Sequence, residues 1–467
     1  MNDLHRWSAV ALAEAIRTQT VSSVEAVTAC FEQIERQEPQ LNAFITLCRE
    51  QAFQAAKAAD AQIKQGEPVG ILHGIPIAIK DVTATAGIRT TYGSQRYQTY
   101  IPAEDELCVA RLKQAGAIIL GKTSVPEFGF GNGTTNPVSG TTVNPYDLSR
   151  SPGGSSGGSA VAVAAGMCHL AQGTDLGGSV RTPASFCGIV GLRPAIGRIP
   201  RLPKPLLWES LITDGVLARS VEDAALMLAA MAGFDPRDPI AIASDWQVPQ
   251  FEQKQSSWEQ IKIGCSVDLG IATIDPAVKQ AFEQAIDIIA KVCPNLEIAH
   301  PDCTKAQFAF ETLRAGLIHH LYGHLLEQKA EAVNEILRWE IEQGVGLTAA
   351  AYIEAESQRG QLYQQFMDFF QRYDVLITVS ASIPPFPADQ VNILEINNTP
   401  LRNQIDYLTI TYTISLTGLP SLSLPAVWVS GLPIGIQLVG KPHAEAQLLQ
   451  FAYFLQEQCN FRHRWPE

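Results

Sequence analysis

The sequence predicts an α/β protein whose sheet is covered by helices on both faces, and three observations carry that prediction. Apolar, β-branched runs recur near both ends of the chain with helix-period patterns between them. Runs such as "GIPIAIKD" and "YDVLITVS" are dense in apolar residues, as strands buried on two faces require. A composition of 46% hydrophobic and 17% charged residues over 467 positions allows a sizeable core and is far from that of a disordered chain.

The elements follow in chain order. Ser22 with Glu25 three residues on forms a capping-box start for "VEAVTACFEQI", and helix continues, with breaks, to about residue 64. "ILHGIPIAIKD" reads as a buried strand ending at Lys80 and Asp81, on a working edge. A helix from about Glu104 to Gln114 leads into a strand, "AIIL", at 117–120. Ser220 and Asp223 cap a helix to about Met231, and Asp275 before Pro276 suits the N-cap and first position of another. Residues from about 305 to 372 read as mostly helical. "YDVLITVS" is a further buried strand, and "LPSLSLPAVWVSGLPIGIQLVG" is strand, turn and strand before a last helix near Ala444. No low-complexity linker or internal repeat interrupts this order, so the expectation is one domain over 1–467, with a more variable, largely helical portion at about 240–372.

A net charge of −13 offers no general attraction to nucleic acid or anionic membrane. There is no apolar window of spanning length, and the first twenty residues lack the hydrophobic core of a signal peptide. Nine scattered cysteines without a CxxC pair suggest neither a disulfide framework nor a thiolate zinc site, and a reducing cytoplasm is the plain reading. "GAIILGKT" at 116–123 satisfies the letters of a phosphate-binding loop, but its four intervening residues are themselves the strand. His319, His320 and His324 lack the glutamate and third ligand of a zinc-protease helix, and His73 has no evident nucleophile beside it.

The chemistry lies in two glycine- and serine-rich clusters. "SPGGSSGGS" runs straight into "AVAVAAG", a small-residue stretch suited to a buried helix, so it is not a linker. "TDLGGS" then offers consecutive N–H groups around a hydroxyl, as an oxyanion hole beside a nucleophile does, though an anion-binding nest uses the same elements. A nucleophilic serine needs a proton acceptor. Lys80, at the end of an apolar strand where burial favours the neutral amine, is the candidate.

Together, "GIPIAIKD" at 74–81, "SPGGSSGGSAVAVAAG" at 151–166 and "GTDLGGSVRTPASFCGIVGLRP" at 173–194 resemble the three hallmark segments of the amidase signature family. "TITYTISLTGLPSLSLPAVWVSGLPIGIQLVG" at 409–440 is similar to the family's closing strands. The resemblance implies a large, mixed, twisted central sheet with helices on both faces, and a serine, serine and lysine catalytic unit. By it Ser179 falls on the nucleophile, Ser155 on the bridging serine behind a cis Gly154–Ser155 peptide, and Lys80 on the base. It further implies an oxyanion hole from the amides of Leu176, Gly177, Gly178 and Ser179, a loop-fixing Asp175–Arg181 ion pair, and supporting roles for Gly154, Ser156 and Thr174, the last bonding near the nucleophile. No metal or organic cofactor is implied.

The family divides into free-standing amidases and the A subunit of a glutamine-dependent tRNA amidotransferase. In the latter a Tyr-Gly and a Phe-Ala-Ser-Ser-Leu-Asp run typically follow the "RPxxGR" region, where this chain has "IPRLPKPLLWESLITDGVLARS" at 199–220. The expectation is therefore a stand-alone, cytoplasmic enzyme that hydrolyses linear carboxylic amides through an acyl-enzyme. It would be a monomer or homodimer taking a small-molecule amide, without nucleic acid or membrane. The amidotransferase component, or a non-catalytic binding protein of the same fold, is the alternative. The pocket is expected from 127–138, "KPLLWES" at 204–210 and "SASIPPF" at 380–386, whose few charges favour a neutral acyl group.

Overall fold

The computed structural model describes residues 3–243, 246–251, 258–328 and 333–467. Strands β1 (Phe44–Leu47), β2 (Pro76–Lys80) and β3 (Ile118–Thr123) are followed by a small hairpin of β4 (Thr135–Asn136) and β5 (Gly140–Thr141). Then come β6 (Leu170–Asp175), β7 (Val190–Arg193), β8 (Thr213–Ala218), β9 (Ile263–Cys265), β10 (Leu296–Ile298) and β11 (Val375–Val379). A second hairpin, β12 (Glu395–Ile396) and β13 (Thr399–Pro400), precedes the long pair β14 (Ser421–Val429) and β15 (Leu432–Val439). Eleven of these form one sheet in the order β1-β3-β2-β6-β8-β7-β14-β15-β11-β9-β10. Its β3-β2-β6 and β11-β9-β10 portions are parallel and the rest antiparallel, so the sheet is mixed.

Alternation along the central strands shows why both faces are covered. Ile77, Ile79, Leu170, Val216 and Ala218 point into one apolar cluster, whereas their neighbours Ala78, Ala171 and Leu217 point into another. The first face is roofed by helices that include α1 (Ala9–Arg17), α4 (Leu107–Gln114), α7 (Val221–Met231), α8 (Pro276–Ala290) and α13 (Glu445–Gln458). The second is roofed by α2 (Ser23–Leu41), α3 (Arg49–Lys64) and α5 (Gly157–Ala164). α5 is built from glycine, alanine, serine and valine because it lies almost on the β3 loop. A Cβ at Gly158 would stand 2.5 Å from both N and O of Ser124.

The helix caps fall where the sequence puts them: Ser22 and Glu25 make the reciprocal capping box, and Ser220 and Asp275 accept from Asp223 and Ala277 N–H. Three element readings change. The helix expected through residue 64 is split by β1, which pairs antiparallel with β3. The strand ending at Lys80 starts only at Pro76, because Gly74 turns with φ +76°. Thr409–Thr417, within a stretch similar to closing strands, is the fully buried helix α12. Its β-branched residues suit a helix here because Thr413 and Ser415 hydroxyls donate to the carbonyls of Thr409 and Thr411 one turn back.

In the stretch 240–372, α9 (Ala306–Gln328), α10 (Glu335–Gln343) and α11 (Ala349–Arg372) follow α8, while 244–245, 252–257 and 329–332 lie outside the described residues. Among the described residues no helix is long and apolar enough to cross a membrane.

Candidate active site

β2 and β6 are parallel neighbours, with Ile79 beside Gln172, so their C-terminal ends bring Lys80 against Thr174. Lys80 is fully buried. Its Nζ lies 2.7 Å from Ser155 Oγ, 2.9 Å from Thr174 Oγ1 and 3.4 Å from Thr174 O. Burial lowers the amine to about 7, against the opposing pull of the Asp175 and Asp214 carboxylates. Near neutral pH a substantial fraction is thus free amine, able to accept a proton from Ser155.

Ser155 and Ser156 lead into α5, and the Gly154–Ser155 peptide is cis. Gly154 is crowded: a Cβ there would sit 2.9 Å from Gly133 O. Ser156 ties the two serine loops together, its N–H donating to Ser179 O at 3.1 Å and its hydroxyl to Thr174 O at 3.3 Å.

Ser179 lies on the turn between β6 and α6 (Arg181–Phe186). Asp175 is the core of that turn. Its carboxylate accepts from the N–H groups of Gly178 and Val180 and from two nitrogens of Arg181, with Arg193 Nε 3.4 Å away. Burial alone would raise the Asp175 carboxyl, but Arg181, Arg193 and the Val180 N–H outweigh it and hold the group far below the usual range. Arg181 in turn donates to Thr411 O, Ser415 Oγ and Gln437 Oε1, which fastens the loop to α12 and β15.

Gly178 has φ +130° and a virtual Cβ only 2.4 Å from Thr411 Oγ1, the hydroxyl that donates to Gly177 O. Gly178→Ala is therefore expected to lose about 2–4 kcal/mol of stability. Chemical denaturation measures that loss, and an unchanged midpoint would show that the turn tolerates a side chain.

Thr174 bonds Lys80, and its carbonyl accepts the hydroxyl of Ser156, the residue whose N–H meets Ser179 O. One expected oxyanion donor is engaged elsewhere. The N–H of Gly178 is committed to Asp175 Oδ1 at 2.9 Å, so it is not a free oxyanion donor, whereas those of Leu176, Gly177 and Ser179 have no intramolecular acceptor among the described residues.

Ser155 and Ser179 open onto one cavity, walled in part by Phe128–Asn132 as expected. The other two expected walls lie elsewhere. Leu206 and Trp208 border a neighbouring groove with Tyr352 and Arg359, and Phe386 packs on Phe186. In their place stand α9 and α10, with Arg314, Tyr322 and Glu340, together with Glu106 and Arg201. The cavity is thus charged, which overturns the expectation of a pocket for a neutral acyl group. Arg314 donates twice to Glu340. Sequence reading missed these residues because each stands alone on a helix or loop without a motif around it.

The motifs set aside have structural places. Lys122 of "GAIILGKT" lies within β3, its ammonium spent on Thr83 O, Thr85 Oγ1 and Thr90 Oγ1. His73 Nε2 meets Ala59 O, and Glu127 accepts the Asn334 N–H. No group of three metal-ligating side chains occurs among the described residues.

Comparison with known proteins corrects the functional expectation. The A subunit of glutamyl-tRNA(Gln) amidotransferase from Carboxydothermus hydrogenoformans is 34% identical over 491 residues, covering 100% of both chains. The structure of its counterpart in the Thermotoga maritima glutamyl-tRNA(Gln) amidotransferase superposes with a TM-score of 0.79 at 27% identity, over 100% of this chain and 99% of that one. A chain of a vestigial protein complex that reveals the origins of an s-triazine catabolic enzyme gives 0.89 at 30% identity, over 98% and 100%. Full-length likeness to these amidotransferase components overturns the expectation of a stand-alone hydrolase of linear amides, and with it the expectation of a small-molecule amide as sole partner and no nucleic acid. The divergent stretch at 199–220 that pointed the other way is divided: its Leu206 and Trp208 border the neighbouring groove, while its Arg201 and Ile212 line the serine cavity. The Amidase family model matches residues 25–449, and the chain belongs to the amidase family.

Proposed function

We propose that the chain is the amide-hydrolysing component of a glutamine-dependent amidotransferase acting on glutamyl-tRNA(Gln), working in the cytoplasm with partner chains. The observation that carries the reading is the 2.7 Å contact between buried Lys80 and Ser155, at a cavity that also holds Ser179. Full-length likeness to proteins of that name and a charged cavity wall support it, and nine unpaired cysteines suit the compartment.

In this reading neutral Lys80 takes the proton of Ser155, Ser155 takes that of Ser179, and the Ser179 oxygen forms a bond to the side-chain amide carbon of glutamine. The amides of Leu176, Gly177 and Ser179 receive the negative charge on the former carbonyl oxygen. The proton returns through Ser155 to the nitrogen, the C–N bond breaks, and ammonia leaves a glutamyl ester on Ser179. Water, deprotonated by the same relay, attacks that ester and releases glutamate. On a partner chain the glutamyl side-chain carboxylate is first activated as an acyl phosphate by a nucleoside triphosphate; the ammonia then attacks that carbonyl carbon, the C–O bond to phosphate breaks, and inorganic phosphate leaves as the amide forms.

The protein recovered with its native partners is expected to release ammonia from glutamine and to convert glutamyl-tRNA(Gln) to glutaminyl-tRNA(Gln). Recovery without any partner, with no glutamine hydrolysis, would overturn the reading.

A further inference from the structure

The cavity holds two arginines in unlike circumstances. Arg314 has its Nε and Nη2 edge occupied by Glu340, so that pair is internally neutral and offers a ligand only Nη1. Arg201 lies across the same cavity with no side-chain hydrogen bond among the described residues, and its Nε is shut off from solvent. The nearest carboxylate oxygens are Glu209 Oε2 at 3.6 Å and Asp214 Oδ2 at 3.7 Å, both beyond hydrogen-bond length. Arg201 is thus ion-paired with both carboxylates at long range, but its side-chain hydrogen bonds are unmade, and a nearly enclosed planar guanidinium in that state matches the bidentate geometry of a closer carboxylate.

The geometry points to Arg201 as the residue that receives the carboxylate of the donor amide, a further specificity determinant resting on the glutamine reading above. The acidic groups around it do not fill that role. Asp214 turns one oxygen to Gln172 Nε2 at 2.8 Å, Glu106 accepts the Ala84 N–H, and Glu209 accepts the N–H groups of Leu211 and Ile212. Burial raises Glu106 to about 7, so it does not oppose an incoming anion with a full charge at neutral pH, and burial shifts Asp214 upward as well. Arg201, from the loop after β7, and Ser179, from the loop after β6, line the same cavity, and in this assignment they hold the two ends of one short acyl chain.

Protection of Ser179 from a fluorophosphonate reagent tests this without requiring turnover. Glutarate should protect the wild-type protein at far lower concentration than uncharged 1,5-pentanediol. Arg201→Met should weaken protection by glutarate about 10- to 100-fold, the size of one charge-assisted pair, with little change for the diol. Arg201→Lys, which keeps the charge without the fork, should fall between. Thermal melts identify any variant that has failed to fold, in which case Arg201→Lys alone decides. Glutarate protection unchanged in folded Arg201→Met, or no preference for glutarate in the wild type, would overturn the assignment. Glutamine turnover is read on the same samples. Arg201-dependent glutarate protection without glutamine hydrolysis would sink the glutamine reading and keep the carboxylate site. Glutamine hydrolysis with Arg201-independent protection would do the reverse.

Discussion

Ser179→Ala is expected to abolish acyl-enzyme formation and to lower amide turnover by about a million-fold while leaving the fold intact. The two halves of that expectation have separate origins. Ser179 carries the only hydroxyl that lies on the Asp175-centred turn and opens onto the cavity beside Ser155. That hydroxyl makes no hydrogen bond among the described residues, so its removal orphans no buried group. The turn's own bonds, from Gly178 and Val180 N–H to Asp175 and from Arg181 to Thr411 and Gln437, involve none of the lost atoms. Ammonia release and fluorophosphonate labelling measure the first half and a denaturation midpoint the second. Amide hydrolysis by the variant near the wild-type rate would remove Ser179 as nucleophile.

Lys80→Met is expected to cost about a hundred- to ten-thousand-fold in kcat, the usual worth of a positioned general base. Its signature lies in pH. The wild-type amine is lowered to about 7 by burial, so below that pH it carries the proton it should be taking from Ser155, and above it the lone pair is available. The kcat/KM of the wild type therefore rises with pH and reaches half its plateau near 7, and the residual activity of the variant lacks that rise. A loss confined to KM, with turnover preserved, would show that Lys80 shapes the cavity but does not move the proton. Lys122 is the internal control. Burial lowers it too, to about 8, yet its three N–H donors are taken by Thr83, Thr85 and Thr90, and it lies outside the cavity. Replacing it should disturb the loop from 83 to 90 and leave the pH profile of Lys80 in place.

The parts of the molecule legible in the sequence were those where the residue type itself is a constraint. Gly153 to Ser159 and Gly177 to Ser179 could not be linker once an apolar run followed them, and they mark the two loops that bring Ser155 and Ser179 together. Helix starts at Ser22, Ser220 and Asp275 were legible because capping is local. What stayed hidden depends on distant neighbours. Thr409–Thr417 has the β-branched pattern of a strand, and only its complete burial and back-bonded hydroxyls make it a helix. The Gly178 N–H could be seen to sit beside the nucleophile but not to be held by Asp175. The charged wall was missed for the same reason: Arg201, Arg314 and Glu340 are ordinary residues in ordinary local sequence until the fold places them together.

The anchoring of the Ser179 turn also bears on how the protein is made. Arg181 reaches Thr411, 230 residues ahead, and Gln437, 256 residues ahead, while β7 closes against β14 through the pairing of Arg193 with Ser421. A ribosome must therefore have delivered nearly the whole chain before the Ser179 turn has its permanent neighbours. Lys80, Ser155 and Ser179 all lie in the first half of the chain, well ahead of the α12 and β15 residues that anchor the Ser179 turn. The framework around Ser179 completes only with the last strands, so a chain cut short before α12 lacks every one of these distant anchors.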